Sequence, residues 1–456
     1  MHVGGNYDQN QNHGAFYLNG NNAASNSNAN VGSRFLANLV LHNHFGNNVY
    51  VGRLLHRYRF RIPLGKDCAV RDRVSTPERA KESSIGSKET PMKRARNLFP
   101  QMISDANLTK AIKMVCNSHR WDHYPNKPNH TVIWIESHFE ECVKDLRQII
   151  EDGFVPSPVV KKRRYDVNAG KWRDIAEPRM WPDQCVHHAM IQVLEPIMMR
   201  GMDHWCCGSL KKRGAHYGIR ALKKWMGGKK MKYCVECDIR HFYDSLKPEL
   251  VLNRMKHLIK DRLAIDLIWR VIKDGIQIGA YCSQWFANTY LQPLDQLIRQ
   301  NGATRMIQYM DNFTIFTNRK RTGHKLIEII KEWLQANGLE LKGNWQVFRS
   351  AKRKPNALGY RFGIGFVLMR KKNLLRLRRQ LKKYYYLHGC GKFIPVKFAQ
   401  GLLSRLGMLR HCNSQSIYQR YYKKRTQKQL KDIVREYYRK EKAKWSMYLD
   451  PLSTAA

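Results

Sequence analysis

Two short apolar runs enclose a four-residue tip in the second half of the chain. Arg305-Met306-Ile307-Gln308 leads in, Tyr309-Met310-Asp311-Asn312 forms the tip, and Phe313-Thr314-Ile315-Phe316 leads out. Apolar and aromatic residues on both sides of so short a break predict a β-hairpin with a carboxylate at its turn. A second strand is predicted at Tyr233-Cys234-Val235-Glu236-Cys237. It ends in Asp238 and runs on into Ile239-Arg240-His241-Phe242-Tyr243-Asp244. The two carboxylates are 73 residues apart (311 − 238), and two helices are expected between the strands that carry them.

Composition bounds the rest. The chain has 456 residues, enough for two to four subdomains, and at 43% hydrophobic and 11% aromatic most of it should fold. Lys and Arg number 81 against 36 Asp and Glu, a formal charge of +45. Such an excess points to a polyanionic partner, most simply nucleic acid. No segment approaches ~18 uninterrupted apolar residues, so no membrane span is expected. The polar N-terminus has no apolar signal core, which argues against secretion. The 11 cysteines are scattered and odd in number, which does not suggest a disulfide framework. Cys234 and Cys237 form a lone C-x-x-C on a predicted strand, expected to be buried and reduced rather than zinc-bound.

Four regions are predicted. Residues 1–95 form a loosely ordered leader. Its first part is low-complexity and Asn-rich, as in Asn26-Ser27-Asn28-Ala29-Asn30, and cannot bury a core. Residues 96–231 open with helical periodicity over 97–155. A basic hairpin follows, Val159-Val160-Lys161-Lys162-Arg163-Arg164-Tyr165 turning at Asn168-Ala169-Gly170 into Lys171-Trp172-Arg173-Asp174-Ile175, and then a helix from about Pro182 to Arg200. His187 and His188 in that helix are expected to pack in the core. Residues 232–369 hold the two acidic strand ends, and residues 370–456 are helical and basic. Between 351 and 450, 27 Lys and Arg stand against 4 Asp and Glu, a net +23. Tyr384-Tyr385-Tyr386, Tyr421-Tyr422 and Tyr437-Tyr438 interleave with that charge. Aromatics that stack on bases beside cations that meet phosphates make a nucleic-acid grip.

Two acidic strand ends that meet in space suit two divalent ions. Such ions lower the pKa of an attacking hydroxyl and neutralise a triphosphate. With this chemistry the chain resembles the reverse transcriptases, through motifs in consecutive order over about 155–365. Lys171-x-Arg173-x-Ile175-x-x-Pro178 looks like the fingers motif whose Arg meets the incoming triphosphate, with Lys161 and Arg163 on the facing strand to assist. Asp238 to Asp244 looks like motif A, in which Tyr243 matches the steric gate against a ribose 2′-hydroxyl. Ile278-Gly279-Ala280-Tyr281-Cys282-Ser283-Gln284 looks like motif B, where Gly279 would let the backbone approach the templating base and nucleotide. Tyr309 to Asn312 looks like motif C. Asn337-Gly338-Leu339-Glu340-Leu341-Lys342 resembles motif D, whose Lys protonates the leaving pyrophosphate. Leu358-Gly359-Tyr360-Arg361-Phe362 resembles the primer grip.

The resemblance implies an α+β right-hand polymerase, with fingers, an antiparallel-sheet palm and a helical thumb. It would make cDNA on an RNA template from dNTPs with two Mg²⁺, Mn²⁺ serving as substitute. The implied catalytic set is Asp238, Asp311, Asn312 and Lys342. The implied metal set is Asp238, Ile239, Asp311 and Asn312. Nucleotide contacts fall to Lys161, Arg163, Arg173, Tyr243, Ile278, Gly279, Ser283 and Gln284, and the primer grip to Leu358, Gly359 and Tyr360.

Motif B narrows the family. Most reverse transcriptases show Gln-Gly-x-x-x-Ser-Pro. An aliphatic residue before the Gly and Gln after the Ser resemble the enzymes of diversity-generating retroelements. Asp183-Gln184-Cys185-Val186-His187-His188-Ala189 and Lys212-Arg213-Gly214-Ala215-His216 agree. A Gln at 278 could hydrogen-bond near the nascent pair, whereas Ile only packs, and apolar contact alone separates similar ligands by ~1–3 kcal/mol. Ile278 as plain core filling is the competing expectation. That family miscopies adenines of a template-repeat RNA, which also serves as primer, and the cDNA diversifies a target gene. A small basic accessory protein and a cytoplasmic location in a bacterial cell, on a bacterial or phage gene, are further implications. Asn is encoded by adenine-rich codons, so residues 1–34 are expected to be either template sequence read as protein or an ordinary disordered leader. Met92 and Met102 are alternative starts.

Motif C departs from the usual pattern, because Asn312 stands where a second Asp is usual. Hard cations prefer carboxylates, so Asp238 and Asp311 would carry both ions, with Asn312 a weak or outer-sphere ligand. RNA polymerases of non-segmented negative-strand viruses look similar, with Gly-Asp-Asn. An RNA-binding pseudo-polymerase is the alternative from another class. Defence-associated and group II intron-like reverse transcriptases are further alternatives. The short stretch after the predicted thumb makes both less expected.

Overall fold

The computed structural model describes residues 93–122, 127–166, 171–228, 231–423 and 425–449. The Asn-rich leader, the start at Met92 and the turn at Asn168-Ala169-Gly170 lie outside the described residues.

The first part is helical, as the periodicity predicts: α1 (Asp105–His119), α2 (His130–Ser137) and α3 (Phe139–Glu151). In α3, Cys142, Val143, Leu146 and Ile150 fall at helical spacing and are buried, while Glu140 and Glu141 occupy the first turn, where the helix dipole favours anions. A two-stranded antiparallel hairpin follows, β1 (Val160–Asp166) with β2 (Lys171–Glu177). The next helix, α4 (Cys185–Arg200), starts three residues later than its sequence suggests. The chain first makes a wider π-turn over Met180–Gln184, inside which the buried Asp183 accepts the Ser157 amide at 2.7 Å. Helix α5 (Ala215–Trp225) leads to the central sheet.

Strand β3 (Tyr233–Arg240) is the middle of that sheet. Between it and β4 (Arg305–Tyr309), where two helices were expected, stand three longer ones: α6 (Pro248–Leu258), α7 (Arg262–Ile272) and α8 (Ser283–Gln300). Asp261 divides the first pair. Its Oδ1 caps α7 by accepting the Ala264 amide at 3.1 Å, and its Oδ2 accepts the Leu98 and Phe99 amides at 2.6 and 3.0 Å. After β4 come β5 (Asn312–Thr317), α9 (Lys320–Ala336), β6 (Glu340–Leu341) and β7 (Gln346–Arg349). The sheet order is β4-β5-β3-β6, with β7 also paired to β3, and every pairing is antiparallel.

Alternation along β3 sends successive side chains into two cores. Val235, Cys237 and Ile239 face the large core shared with α6 to α9, while Cys234 faces a smaller one built with α5. Cys234 and Cys237 are buried, free and on opposite faces, which fits packing and not a metal pair. The smaller core is closed by a second sheet, β8 (Asn356–Ala357), β9 (Tyr360–Gly363) and β10 (Phe366–Met369). The last region packs α10 (Lys371–Gly389), α11 (Val396–Met408) and α12 (Thr426–Leu449) around Leu377, Leu381, Tyr384, Leu402 and Leu430. Among the described residues no helix is long and apolar enough to cross a membrane.

Asp261→Ala should therefore cost on the order of 2 kcal/mol, from a lost cap and two amides left without their acceptor. Burial pushes the Asp261 carboxyl up, but the Phe99, Ala264 and Leu98 amides pull it down further, so its net value is lowered. Its contribution is then complete above the unfolded carboxylate value near 4 and is lost as pH falls below it. Urea denaturation of wild type and variant at pH 7 and pH 3 checks both points, with the difference expected at pH 7 and much reduced at pH 3.

Candidate active site

The register of the sheet brings the two acidic strand ends together. Asp238 lies directly opposite Asn312, and the Ile239 amide donates to the Asp311 carbonyl at 3.0 Å. Tyr309 pairs with Asn312, which leaves Met310 and Asp311 as a two-residue hairpin turn. Met310 takes a left-handed conformation, φ +56°, unusual for a side chain of its size. Its neighbours fix it there. A Cβ on Gly208 would sit 2.8 Å from the Met310 nitrogen and 2.9 Å from its sulfur, so only Gly fits. From the other side the Tyr243 hydroxyl donates to Met310 Sδ at 3.7 Å. Gly208 is delivered by a segment that adds to the edge of β4, with the Cys207 amide on the Gln308 carbonyl and the Gln308 amide on the Trp205 carbonyl. Sequence reading passed over Gly208. Its signal was a small residue at the end of Trp205-Cys206-Cys207, an apolar run too short to stand out.

The electrostatics follow from placing two carboxylates side by side. Burial, then the charge of Asp238 and a hydrogen bond with it, push the Asp311 carboxyl up to about 7 against the pull of Lys342. Lys342 Nζ is ion-paired with Asp238 Oδ2, and the Lys342 amide donates to the Asp238 carbonyl at 2.9 Å. Asn312 Nδ2 donates to Asp311 Oδ1 at 2.9 Å, so in this arrangement the amide positions the neighbouring carboxylate. Asp238 Oδ1 is buried and accepts no hydrogen bond. An unpartnered, buried, anionic oxygen beside a second carboxylate fits a hard divalent cation. Among the described residues no group of three or more His, Cys, Asp and Glu could hold a metal, so the candidate set is these two carboxylates with the Asn312 amide oxygen. The Ile239 side chain is fully buried and apolar, so only its main chain could take part.

The remaining predicted site residues divide. Tyr243 is buried next to the pair, on the turn Phe242–Ser245 that follows β3. Gly279 has φ +110°, and a Cβ there would lie 2.2 Å from the Ala176 carbonyl oxygen. Its missing side chain thus admits the backbone of the β2 strand, where an approach to template and nucleotide was expected. Ile278 is buried in the large core, and Ser283 Oγ donates to the Gln277 carbonyl at 2.5 Å, which leaves Gln284 in the first turn of α8. In the β1–β2 ladder, Arg164 stands opposite Arg173 and Arg163 opposite Asp174, so Lys161 and Arg163 alternate with position 173. Arg163 stacks over Trp172 at 5.7 Å instead, and Lys162 and Arg164 both pair with Glu177. Leu358 and Gly359, both at positive φ, form the tight turn between β8 and β9, and the Tyr360 hydroxyl donates to the Met408 carbonyl of α11 at 2.9 Å.

The basic helices also differ in detail from their expectation. Tyr384 is buried and donates to Gln429 at 3.0 Å, and Tyr385 donates to the Tyr421 carbonyl at 3.1 Å. Tyr386 is the exposed member of the run, with Lys392 Nζ 5.3 Å over its ring. His187 and His188 are buried. Burial lowers the His187 pKa to about 4, and His188 stacks on Tyr281 at 3.9 Å.

Residues 160–362 match the family model described as reverse transcriptase (RNA-dependent DNA polymerase). The match begins in β1, takes in the central sheet and ends in β9. The group II intron-encoded protein LtrA of Lactococcus lactis subsp. cremoris is 26% identical over 175 residues, 35% of this chain and 29% of its own length. The protein YkfC of Escherichia coli (strain K12) is 24% identical over 195 residues, 38% of this chain and 51% of its own length. The chain thus spans between about a third and a half of these relatives. Among solved structures, apo telomerase from Candida tropicalis aligns with a TM-score of 0.38 at 12% identity, covering 69% of this chain and 64% of its own. Telomerase from Candida albicans with a fragment of telomeric RNA gives 0.37 at 12% identity, covering 64% and 62%.

Because Asp311 holds a proton that the unfolded chain would release, its contribution to stability falls as pH rises from about 4 to about 7. Removing that charge in Asp311→Asn should raise the melting temperature of the protein in EDTA, most at pH 8 and least near pH 4. Differential scanning fluorimetry across that range checks it, and an unchanged or lowered midpoint at pH 8 would contradict the charge arrangement.

Proposed function

We propose that the chain is an RNA-directed DNA polymerase that extends a primer on an RNA template with dNTPs. The observation that carries this reading is the pair Asp238 and Asp311, brought to adjacent strand ends in a reverse transcriptase domain. These two carboxylates would hold two Mg²⁺, or Mn²⁺ in their place, with Asn312 orienting Asp311. Bound there, the ions would activate the primer 3′-hydroxyl and neutralise the triphosphate. Arg173 meets the triphosphate. Tyr243 excludes a 2′-hydroxyl, Lys342 protonates the leaving group, and Leu358-Gly359-Tyr360 steadies the primer. The basic thumb, net +23 over residues 351–450, grips the duplex through phosphates.

We further propose that this is the reverse transcriptase of a diversity-generating retroelement. The aliphatic Ile278 before Gly279 supports this, because a buried apolar side chain offers no polar check on the nascent pair. Its template would be a template-repeat RNA that also primes, its product an adenine-mutagenised cDNA, and its partner a small basic protein in the bacterial cytoplasm. A second reading, a group II intron-like reverse transcriptase, is favoured by the similarity to the intron-encoded protein. A near-identical repeat pair differing at adenines in the flanking DNA would separate the two.

Primer extension by the purified chain on an RNA template should require Mg²⁺ or Mn²⁺. It should fall by at least about 10³-fold in Asp238→Asn and Asp311→Asn, the size of a lost metal contribution of several kcal/mol. Activity that survives Asp311→Asn would overturn the assignment, and no incorporation by wild type would favour the pseudo-polymerase. Sequenced products should carry errors concentrated at template adenines, reduced in Ile278→Gln. A flat error spectrum would reject the retroelement reading.

A further inference from the structure

We propose that Lys342 acts as a stand-in cation, neutralising Asp238 when no metal is bound and released from it when one arrives. The proposal rests on the two-ion reading of the site. Its ground is a pair of contacts made by the same residue. The Lys342 amide is tied to the Asp238 carbonyl at 2.9 Å, where the chain leaves β6, and its Nζ is ion-paired with Asp238 Oδ2. The main-chain bond keeps the residue beside the carboxylate, and the flexible four-carbon stem lets the ammonium move without it.

The surrounding charges give the pair its purpose. The pairing of Asp238 with Asn312, next to Asp311, brings two carboxylates together, and like charges so placed repel one another. An ammonium at Oδ2 relieves that repulsion. A divalent cation bound to the same carboxylate would lie beside the ammonium, and like charges a few ångströms apart in a half-buried site oppose each other. Ion and Lys342 therefore compete for Asp238. The oxygen left over is informative, since Asp238 Oδ1 is buried and accepts no hydrogen bond. Once the ammonium leaves Oδ2, both oxygens of the carboxylate are free of protein partners. The side chains of Lys342 and Asp238 are 35% and 23% exposed, so the exchange needs no opening of the fold. Release then frees the ammonium for the leaving pyrophosphate only once metal is in place, which links the proton donor to a loaded site.

The test is Mn²⁺ binding to the full chain without RNA or nucleotide, read from the electron paramagnetic resonance signal of free Mn²⁺. Lys342→Met should bind Mn²⁺ roughly tenfold tighter than wild type, the effect of removing one competing charge, while its primer extension falls. Lys342→Arg, which keeps the charge, should stay near wild type. If Lys342→Met fails to give a cooperative melt, Lys342→Gln serves with the same expectation. Unchanged or weaker Mn²⁺ binding in the charge-removing variant overturns the proposal while leaving the two-ion reading intact. Mn²⁺ binding that is insensitive to both Asp238→Asn and Asp311→Asn defeats that reading and the proposal together.

Discussion

The site depends on one register: Asp238 of β3 paired directly with Asn312 of β5. Side chains along a strand alternate, so a slip of one residue would turn Asp238 into the large core and bring Cys237 to the site. Burial forbids that slip. Val235, Cys237 and Ile239 fill one core and Cys234 the other, with helices behind the first and α5 and the small sheet behind the second. A central strand covered on both faces is held in register by everything it touches. The price is two carboxylates forced together in a partly dry place, with Asp311 pushed up to about 7. Lys342 and Asn312 supply the local compensation, one by charge and one by an amide hydrogen bond.

The turn that presents Asp311 is held by shape. Met310 sits at positive φ, with room left for it by Gly208 and its sulfur held by the Tyr243 hydroxyl. This gives the residue proposed as the sugar gate a second task. Its ring is part of the wall that fixes the turn carrying a proposed metal ligand, so substitutions at Tyr243 are expected to affect metal geometry as well as sugar choice.

Much of this was legible in the sequence, because periodicity and turn chemistry are local. The hairpin at 309–312, the strand that carries Asp238, the β1–β2 pair and the helical ends all follow from patterns a few residues long, although that strand runs on to Arg240. What escaped depends on pairings distant in sequence. Lys161 and Arg163 alternate with position 173 because the ladder sets Arg164 opposite Arg173. Gly279 leaves room for the β2 backbone, 103 residues away in the chain (279 − 176). Tyr384 and Tyr385 look available for stacking until the helices they join are known. Asp261 divides α6 from α7 and at the same time takes amides from Leu98 and Phe99.

The central claim is that Asp238 and Asp311 together form a divalent-cation site despite Asn312. Anomalous diffraction from crystals of the chain soaked in Mn²⁺ tests it most directly. The account predicts a peak within about 2.0–2.4 Å of carboxylate oxygens of both Asp238 and Asp311, the range of hard-cation coordination, with Lys342 Nζ moved off Asp238. A Mn²⁺ peak bound elsewhere, or none at this pair while Lys342 stays in its ion pair, would contradict it.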